Sequence, residues 1–255
     1  MTELAGRTAW VTGAGSGIGR AIALALGQAG MRVGLTGRRA EALHATASAI
    51  TSAGGTAMVA AADVTDAEAV ARAHRAVVES YGDVFLLVNN AGWNTPARHW
   101  RDLSATTVET MLRTNLAAPF LTVLQVLPAM RAAGDGVMVH IASLAGTAIF
   151  LPAGPAYIAA KHGARAMSAT LNAEEGIHGI RSICINPGEV ETAIMDTRPL
   201  PPSAQERARM VQPEDVARTV LFCAALPPRS CIADLTIVPT DNAAHRAEAQ
   251  RIAAQ

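Results

Sequence analysis

Short apolar runs alternate with longer helix-periodic segments along almost the whole chain, and few folds accept that alternation. The candidate strands are Thr8–Thr12, Arg32–Thr36, Thr56–Ala60, Val84–Asn89, Val137–Ala142, Arg181–Asn186 and Leu235–Val238. Between them the pattern predicts helices over Gly17–Ala29, Ala40–Ala53, Asp66–Tyr81, Ser104–Ala132, Ala156–Glu175 and Pro213–Ala225. Strand–helix–strand repeats of this kind build parallel sheets. Several of the strands are nearly continuous in apolar residues, as expected where helices cover both faces. The expected class is therefore α/β, a single domain over residues 1–255, with neither a linker nor an internal repeat to divide it.

Composition narrows the function classes. The 255 residues are 50% hydrophobic and 16% charged, enough for one sizeable core and unlike a disordered chain. The formal charge is zero and no basic block occurs, so no nucleic-acid partner is expected. No membrane partner is expected either. No segment reads as the ~20 apolar residues of a span, and Met1–Arg7 lacks a signal-peptide core. Cys184, Cys223 and Cys231 are odd in number and lack metal-ligand spacing. They predict buried or incidental thiols in a cytoplasmic protein, and no metal site.

Thr12-Gly13-Ala14-Gly15-Ser16-Gly17-Ile18-Gly19 joins the first strand to the first helix. Glycines free the backbone angles of such a turn and let it approach a pyrophosphate at the helix N-terminus. Gly13, Ser16, Gly17, Ile18 and Gly19 are thus candidate dinucleotide contacts. The second strand leads into Gly37, Arg38 and Arg39, where NAD-binding folds place an acid against the ribose. No carboxylate repels a 2′-phosphate there, and a guanidinium such as that of Arg38 grips one well. NADP is expected in preference to NAD. Asp63 and Val64 follow the third strand and Asn90 the fourth, at the edge where open α/β sheets bind ligands. Asp63 reads either as an adenine contact or as a cap for the helix beginning at Asp66.

Tyr157 and Lys161 stand four apart in a helix-forming stretch, hence on one face. A Tyr titrates near ~10 and an adjacent ammonium favours the phenolate, so Lys161 is expected to lower Tyr157 and make it a proton shuttle. Ser143, just past the fifth strand, is placed to hydrogen-bond a reacting oxygen. Asn115 lies inside an apolar helix, and Pro119, four residues on, brings no N–H to its carbonyl. That carbonyl is expected to hold a water joining Lys161 to solvent. Residues 187–212, with Pro199, Pro201 and Pro202, are the least regular stretch and read as a substrate lid. Trp93, Phe150, Leu151 and Met195 are candidate pocket walls. Arg98, His99 and Arg101 read as a solvated loop in preference to a carboxylate-recognising group, and the tail after Thr240, with His245, Arg246 and Glu248, as frayed in preference to a short helix.

Taken together, Thr12–Gly19, Asp63-Val64, Asn89–Gly92, Asn115, Ser143, Tyr157-x-x-x-Lys161 and Pro187-Gly188-x-x-x-Thr192 resemble the classical short-chain dehydrogenase/reductase (SDR) family, from Gly6 to about Pro239. The resemblance implies a Rossmann-type, doubly wound, seven-stranded parallel sheet and a homotetramer or homodimer. It implies Tyr157 as acid or base, Lys161 on the nicotinamide ribose, and Pro187, Gly188, Val190 and Thr192 near the nicotinamide. Gln212–Asp215, Leu226–Pro228 and Val238–Thr240 resemble the branch that oxidises 3-hydroxy acids and related small alcohols. Two departures stand out: one extra residue between Ser143 and Tyr157, and Pro239-Thr240-Asp241-Asn242 in place of a glycine-rich ending.

The expected activity is NADP-dependent hydride transfer between a nicotinamide and a small alcohol or carbonyl. Two alternatives stay open. A 3-oxoacyl thioester reductase of fatty-acid type would need a positive patch for an acidic carrier protein. A redox-inert nucleotide sensor would keep the glycine loop, and such proteins can lose the Tyr or Lys.

Overall fold

In the computed structural model, which describes residues 3–198, 200–241 and 251–252, seven strands form one parallel sheet. They are β1 (Thr8–Thr12), β2 (Arg32–Thr36), β3 (Thr56–Val59), β4 (Val84–Asn89), β5 (Gly136–Ile141), β6 (Ile180–Pro187) and β7 (Asp234–Ile237). Their spatial order is β3-β2-β1-β4-β5-β6-β7. The chain therefore winds outward from β1 in one direction and from β4 in the other. The reversal between β1 and β4 opens a crevice at the carboxyl ends of the strands.

The helices are α1 (Gly17–Gln28), α2 (Ala40–Ser52), α3 (Ala67–Tyr81), α4 (Ala105–Leu112), α5 (Ala118–Ala133), α6 (Pro155–Glu175), α7 (Ala204–Arg207) and α8 (Pro213–Ala224). They cover both faces of the sheet. Ala9 and Val11 of β1 face a core shared with Ile22 and Leu26 of α1 and Val216 and Val220 of α8. Trp10, one residue out of phase, faces the opposite core with Val77 of α3 and Val126 of α5. The indole is satisfied there, because Trp10 Nε1 donates to Thr36 Oγ1 at 2.8 Å. β1, β4, β5 and β6 are buried throughout, whereas the edge strands β3 and β7 are only partly covered.

Several expectations change. The helix read over Ser104–Ala132 is broken by a π turn, Arg113–Ala117, between α4 and α5. Pro119 cannot supply an N–H one turn ahead of Asn115, and the widened turn accommodates the loss. The combined run Ala105–Ala133 is long enough to cross a membrane and holds an 18-residue window of mean hydropathy 1.4, contrary to the reading that no segment is so long and apolar. It packs on α3, α6, β4 and β5 instead. Asp66, not Asp63, caps α3, accepting from the N–H groups of Glu68 and Ala69. Cys184 and Cys223 are buried and Cys231 is exposed. The stretch 187–212 is more ordered than its prolines suggested. A 3-10 turn (Ala193–Thr197), the Ser203–Glu206 capping box of α7 and a parallel bridge between Val190 and Val211 shape it. Pro199, Asn242, His245, Arg246 and Glu248 lie outside the described residues.

Candidate active site

The crevice is a cleft of about 1270 Å³ whose walls come from the loops after β1 to β6. At one end lies the glycine loop. Gly13 and Gly17 take φ of +65° and +51°, the left-handed region that side chains rarely adopt. A Cβ at Gly19 would lie 2.3 Å from both Asn90 Nδ2 and the Gly13 carbonyl oxygen, so only glycine fits. Asn90 braces the loop from beneath. Its Nδ2 donates to the carbonyls of Thr12 (3.1 Å) and Gly13 (3.3 Å), and its main-chain N–H donates to Thr12 Oγ1.

Ser16 occupies the N-cap of α1 without capping it. Its Oγ accepts from Arg39 Nη2 at 3.2 Å instead. The first-turn N–H groups of α1 thus lack a side-chain acceptor at the place where Gly17 and Ile18 line the cleft, which fits a bound phosphate. Arg39 touches the loop, whereas Arg38 is exposed at the rim. Asp63 Oδ1 accepts from the Thr65 N–H (2.9 Å) and hydroxyl (2.8 Å). Those bonds, the main-chain one first, hold its carboxyl below the ordinary range, with Arg38 and Arg113 adding to the effect. Val64 is buried in the same wall.

At the other end stand Ser143, Tyr157 and Lys161. Pro155 opens α6 directly after Gly154, whose φ is +81°. Tyr157 thereby falls in the first turn, aimed at the strand ends. Lys161 is 5% exposed; its Nζ donates to the Ile141 carbonyl at 3.0 Å and lies 5.5 Å from the Tyr157 ring centroid. Gly146 lets the Ser143 turn seat against α6, since a Cβ there would lie 2.8 Å from the Lys161 carbonyl oxygen. Ser143 Oγ accepts from the Ala145 N–H at 3.1 Å, which leaves the hydroxyl proton free to donate.

The expected lowering of Tyr157 by Lys161 is not what the protein environment produces. Burial dominates and pushes the phenol up to about 12, against smaller downward effects from Ser143 and Arg98. Burial also brings Lys161 down to about 8 and His140, behind it in β5, down to about 4. Among the described residues no carboxylate offsets the desolvation of these groups.

Asn115 closes the site from the π turn. Its Nδ2 donates to the Trp93 and Met111 carbonyls, and its Oδ1 accepts from the Trp93 N–H. A Cβ on Gly92 would meet Asn115 Oδ1 at 2.7 Å and Lys161 Nζ at 3.6 Å, so these two groups flank one glycine. Residues 7–201 match the family described as short chain dehydrogenase.

The chain belongs to the short-chain dehydrogenase family.

It is 32% identical to a cyclohexanol dehydrogenase from Acinetobacter sp., over 85% of this chain and 86% of that one. Among solved structures, a metagenomic short-chain oxidoreductase in complex with NADP superposes with a TM-score of 0.81 at 32% identity, covering 94% of this chain and 100% of that one. An actinorhodin polyketide ketoreductase with NADPH gives 0.84 at 32% identity, over 92% and 97%. This short-chain dehydrogenase is an NAD(P)-dependent oxidoreductase.

The remaining site residues fall unevenly. Pro187, Gly188, Val190 and Thr192 line the cleft, and Thr192 Cγ2 sits 3.2 Å from where a Cβ on Gly17 would be. The stretch that follows β6 therefore rests on the glycine loop. Trp93, Phe150 and Met195 are cleft walls, but Leu151 is exposed and lines a separate groove with His99, Trp100 and Arg101. Arg98, read as solvated, is buried in the cleft wall. Two acids after β6, Glu189 and Glu191, stand out in the sequence without an electrostatic role that it can support. Glu189 pairs with Arg198 at 2.6 Å and Glu191 with Arg207 at 3.2 Å, and Arg207 reaches Asp196 as well. The Glu-x-Glu spacing was visible, but nothing local says which arginines answer it.

Proposed function

We propose that this short-chain dehydrogenase interconverts a small secondary alcohol and its ketone with NADP. The observation that carries the reading is one cleft holding the glycine loop at one end and Ser143, Tyr157 and Lys161 at the other. In the reducing direction the Tyr157 hydroxyl delivers a proton to the carbonyl oxygen, and in oxidation the phenolate removes it. Ser143 donates a hydrogen bond to the same oxygen and favours the charge developing there. Lys161, anchored by the Ile141 carbonyl, offers its remaining protons to the ribose hydroxyls and to the proton path. We assign the Asn115 main-chain carbonyl to that path, holding a water between Lys161 and solvent; a high-resolution map without that water counts against the assignment. When bound, the cofactor supplies or accepts the hydride.

The preference for NADP is supported by Gly37 where an acid would stand, by exposed Arg38 and Arg39, and by related structures holding NADP and NADPH. The cyclohexanol dehydrogenase relative and the apolar walls, Trp93, Phe150 and Met195, support a compact, weakly polar substrate. Exposed Phe120 and Leu124 on α5 support self-association through the helices around the site.

A panel of cyclic and linear alcohols and ketones, run with both cofactors beside Tyr157→Phe, tests the reading. We expect NADP-linked turnover that Tyr157→Phe lowers at least ~1000-fold while cofactor affinity stays within about 3-fold. Tight cofactor binding with no turnover on any member would favour the nucleotide sensor.

A further inference from the structure

Arg98 is a buried cation that no carboxylate answers. It is 4% exposed, and among the described residues it forms no ion pair. Its donors go to neutral acceptors on three separate segments. Nε donates to the Thr95 carbonyl in its own loop, and Nη1 donates to the Pro152 carbonyl at 3.3 Å, three residues before α6. Nη2 donates to the Thr197 carbonyl and to Thr197 Oγ1, the latter at 2.9 Å, at the end of the lid's 3-10 turn. Gly154 is needed for this seat, since a Cβ there would lie 2.4 Å from the Arg98 carbonyl oxygen. Arg198, the neighbouring cation, is already paired with Glu189.

A buried, uncompensated charge is costly, and the same carbonyls could be bonded by a neutral amide. Resting on the oxidoreductase reading above, we propose that Arg98 is a positioning residue: it fastens the lid at Thr197 to the wall leading into α6, and in doing so adds a positive charge, besides that of Lys161, to the cleft wall that Tyr157 shares. The planar fork explains the choice of arginine, because one rigid group spans three segments. The groups facing the phenol are then Ser143 from the β5 loop, Arg98 from the β4 loop and Lys161 from its own helix, with Nζ 5.5 Å from the ring centroid. Burial opposes its ionisation, and Arg98 and Ser143 favour it. Lid closure and readiness of the proton shuttle thereby share one side chain.

The two roles separate by mutation. Arg98→Gln removes the charge, Arg98→Lys keeps it without the fork, and Thr197→Val keeps Arg98 but loses one lid bond. In alcohol oxidation, the acid limb of kcat/KM should move up by roughly half a pH unit or more in Arg98→Gln. It should stay in place in Arg98→Lys and Thr197→Val, while KM rises about 3-fold or more in all three. An unmoved limb in Arg98→Gln, or a wild-type KM in Thr197→Val and Arg98→Lys, overturns the proposal. Melting temperatures check folding, and Arg98→Met replaces the glutamine variant if that one does not fold. Tyr157→Phe, assayed alongside, separates the two failures: if it stays active the oxidoreductase assignment to Tyr157 is wrong, whereas if it is inactive only the role of Arg98 is in question.

Discussion

The glycine end of the cleft takes its shape from backbone turns, whereas the walls after β4 and β6 at the other end are tied across long distances by arginine side chains. In the first region Gly13, Gly17 and Gly19 set the path, and Asn90 fixes it through carbonyl oxygens one strand away. In the second, Arg98 reaches across 99 positions to Thr197, and Arg198 and Arg207 reach back to Glu189 and Glu191. A cofactor shared across a fold family suits a site of fixed backbone. A substrate that differs from member to member suits walls that side chains can remake.

The sharpest way to break that comparison is to insert a single carbon into the first region. Gly19→Ala would place Cβ 2.3 Å from the Gly13 carbonyl oxygen, a backbone atom that cannot swing away. We expect cofactor affinity to fall by roughly 100-fold or more, equal to about 2.7 kcal/mol, with a lower melting temperature. Isothermal titration of NADP against the folded variant checks this. Wild-type affinity would mean the loop is softer than its contacts imply.

The second region carries its own vulnerability in His140, which sits beneath Lys161 with Nε2 buried and without a partner. Its ordinary value of 6.5 falls to about 4 in the fold, through burial first and the Lys161 charge second. The unfolded chain therefore takes up a proton as pH drops through 6.5, while the folded chain resists until about 4. Stability from keeping His140 neutral is full above 6.5 and is lost as pH falls through that window, at most roughly 3 kcal/mol. Urea melts of wild type and His140→Gln between those limits should converge as pH falls. Parallel curves would show that the imidazole does not resist protonation.

The contrast also explains what could be read from the chain before folding. Strand positions and the glycine loop were legible because apolar period and left-handed turns are local properties. Ser143, Tyr157 and Lys161 were legible as a pattern, and α6 does bring Tyr157 and Lys161 to one cleft wall. The electrostatics were not: spacing showed the ammonium near the phenol, but the desolvation that outweighs it depends on how deeply the fold buries both groups. Arg98 looked like one more loop arginine because its partners, Pro152 and Thr197, come from distant turns. Arg207 was hidden although Asp196 and Glu191 lie only 11 and 16 positions away, because the turns that bring them together follow no local period.

Cofactor choice tests whether the first region is as modular as its backbone suggests. Gly37 follows β2 with room for a side chain, the nearest atom to a Cβ being Leu43 Cδ2 at 3.6 Å. Gly37→Asp should turn the preference toward NAD by about 10-fold or more in the ratio of kcat/KM, because a carboxylate repels the 2′-phosphate and accepts from the ribose hydroxyls. An unchanged ratio would remove Arg38 and Arg39 from the argument for NADP.

The smallest effect is expected at the outer clasp of the 187–212 stretch. Arg207 is 20% exposed while its partners Glu191 and Asp196 are 39% and 66% exposed, so solvent screens both pairs. Exposed pairs of this kind contribute little, and salt weakens them further. Arg207→Gln should raise the substrate KM roughly 2- to 5-fold and leave cofactor affinity unchanged, since the glycine loop does not touch the clasp. Added salt separates this from loss of packing by the arginine stem. If charge fastens the lid, KM of the wild type climbs with ionic strength toward that of the variant, whose own KM stays flat. If the two climb together, the clasp holds by packing, and the division between a backbone-built cofactor region and a charge-built lid has to be redrawn at Arg98 alone.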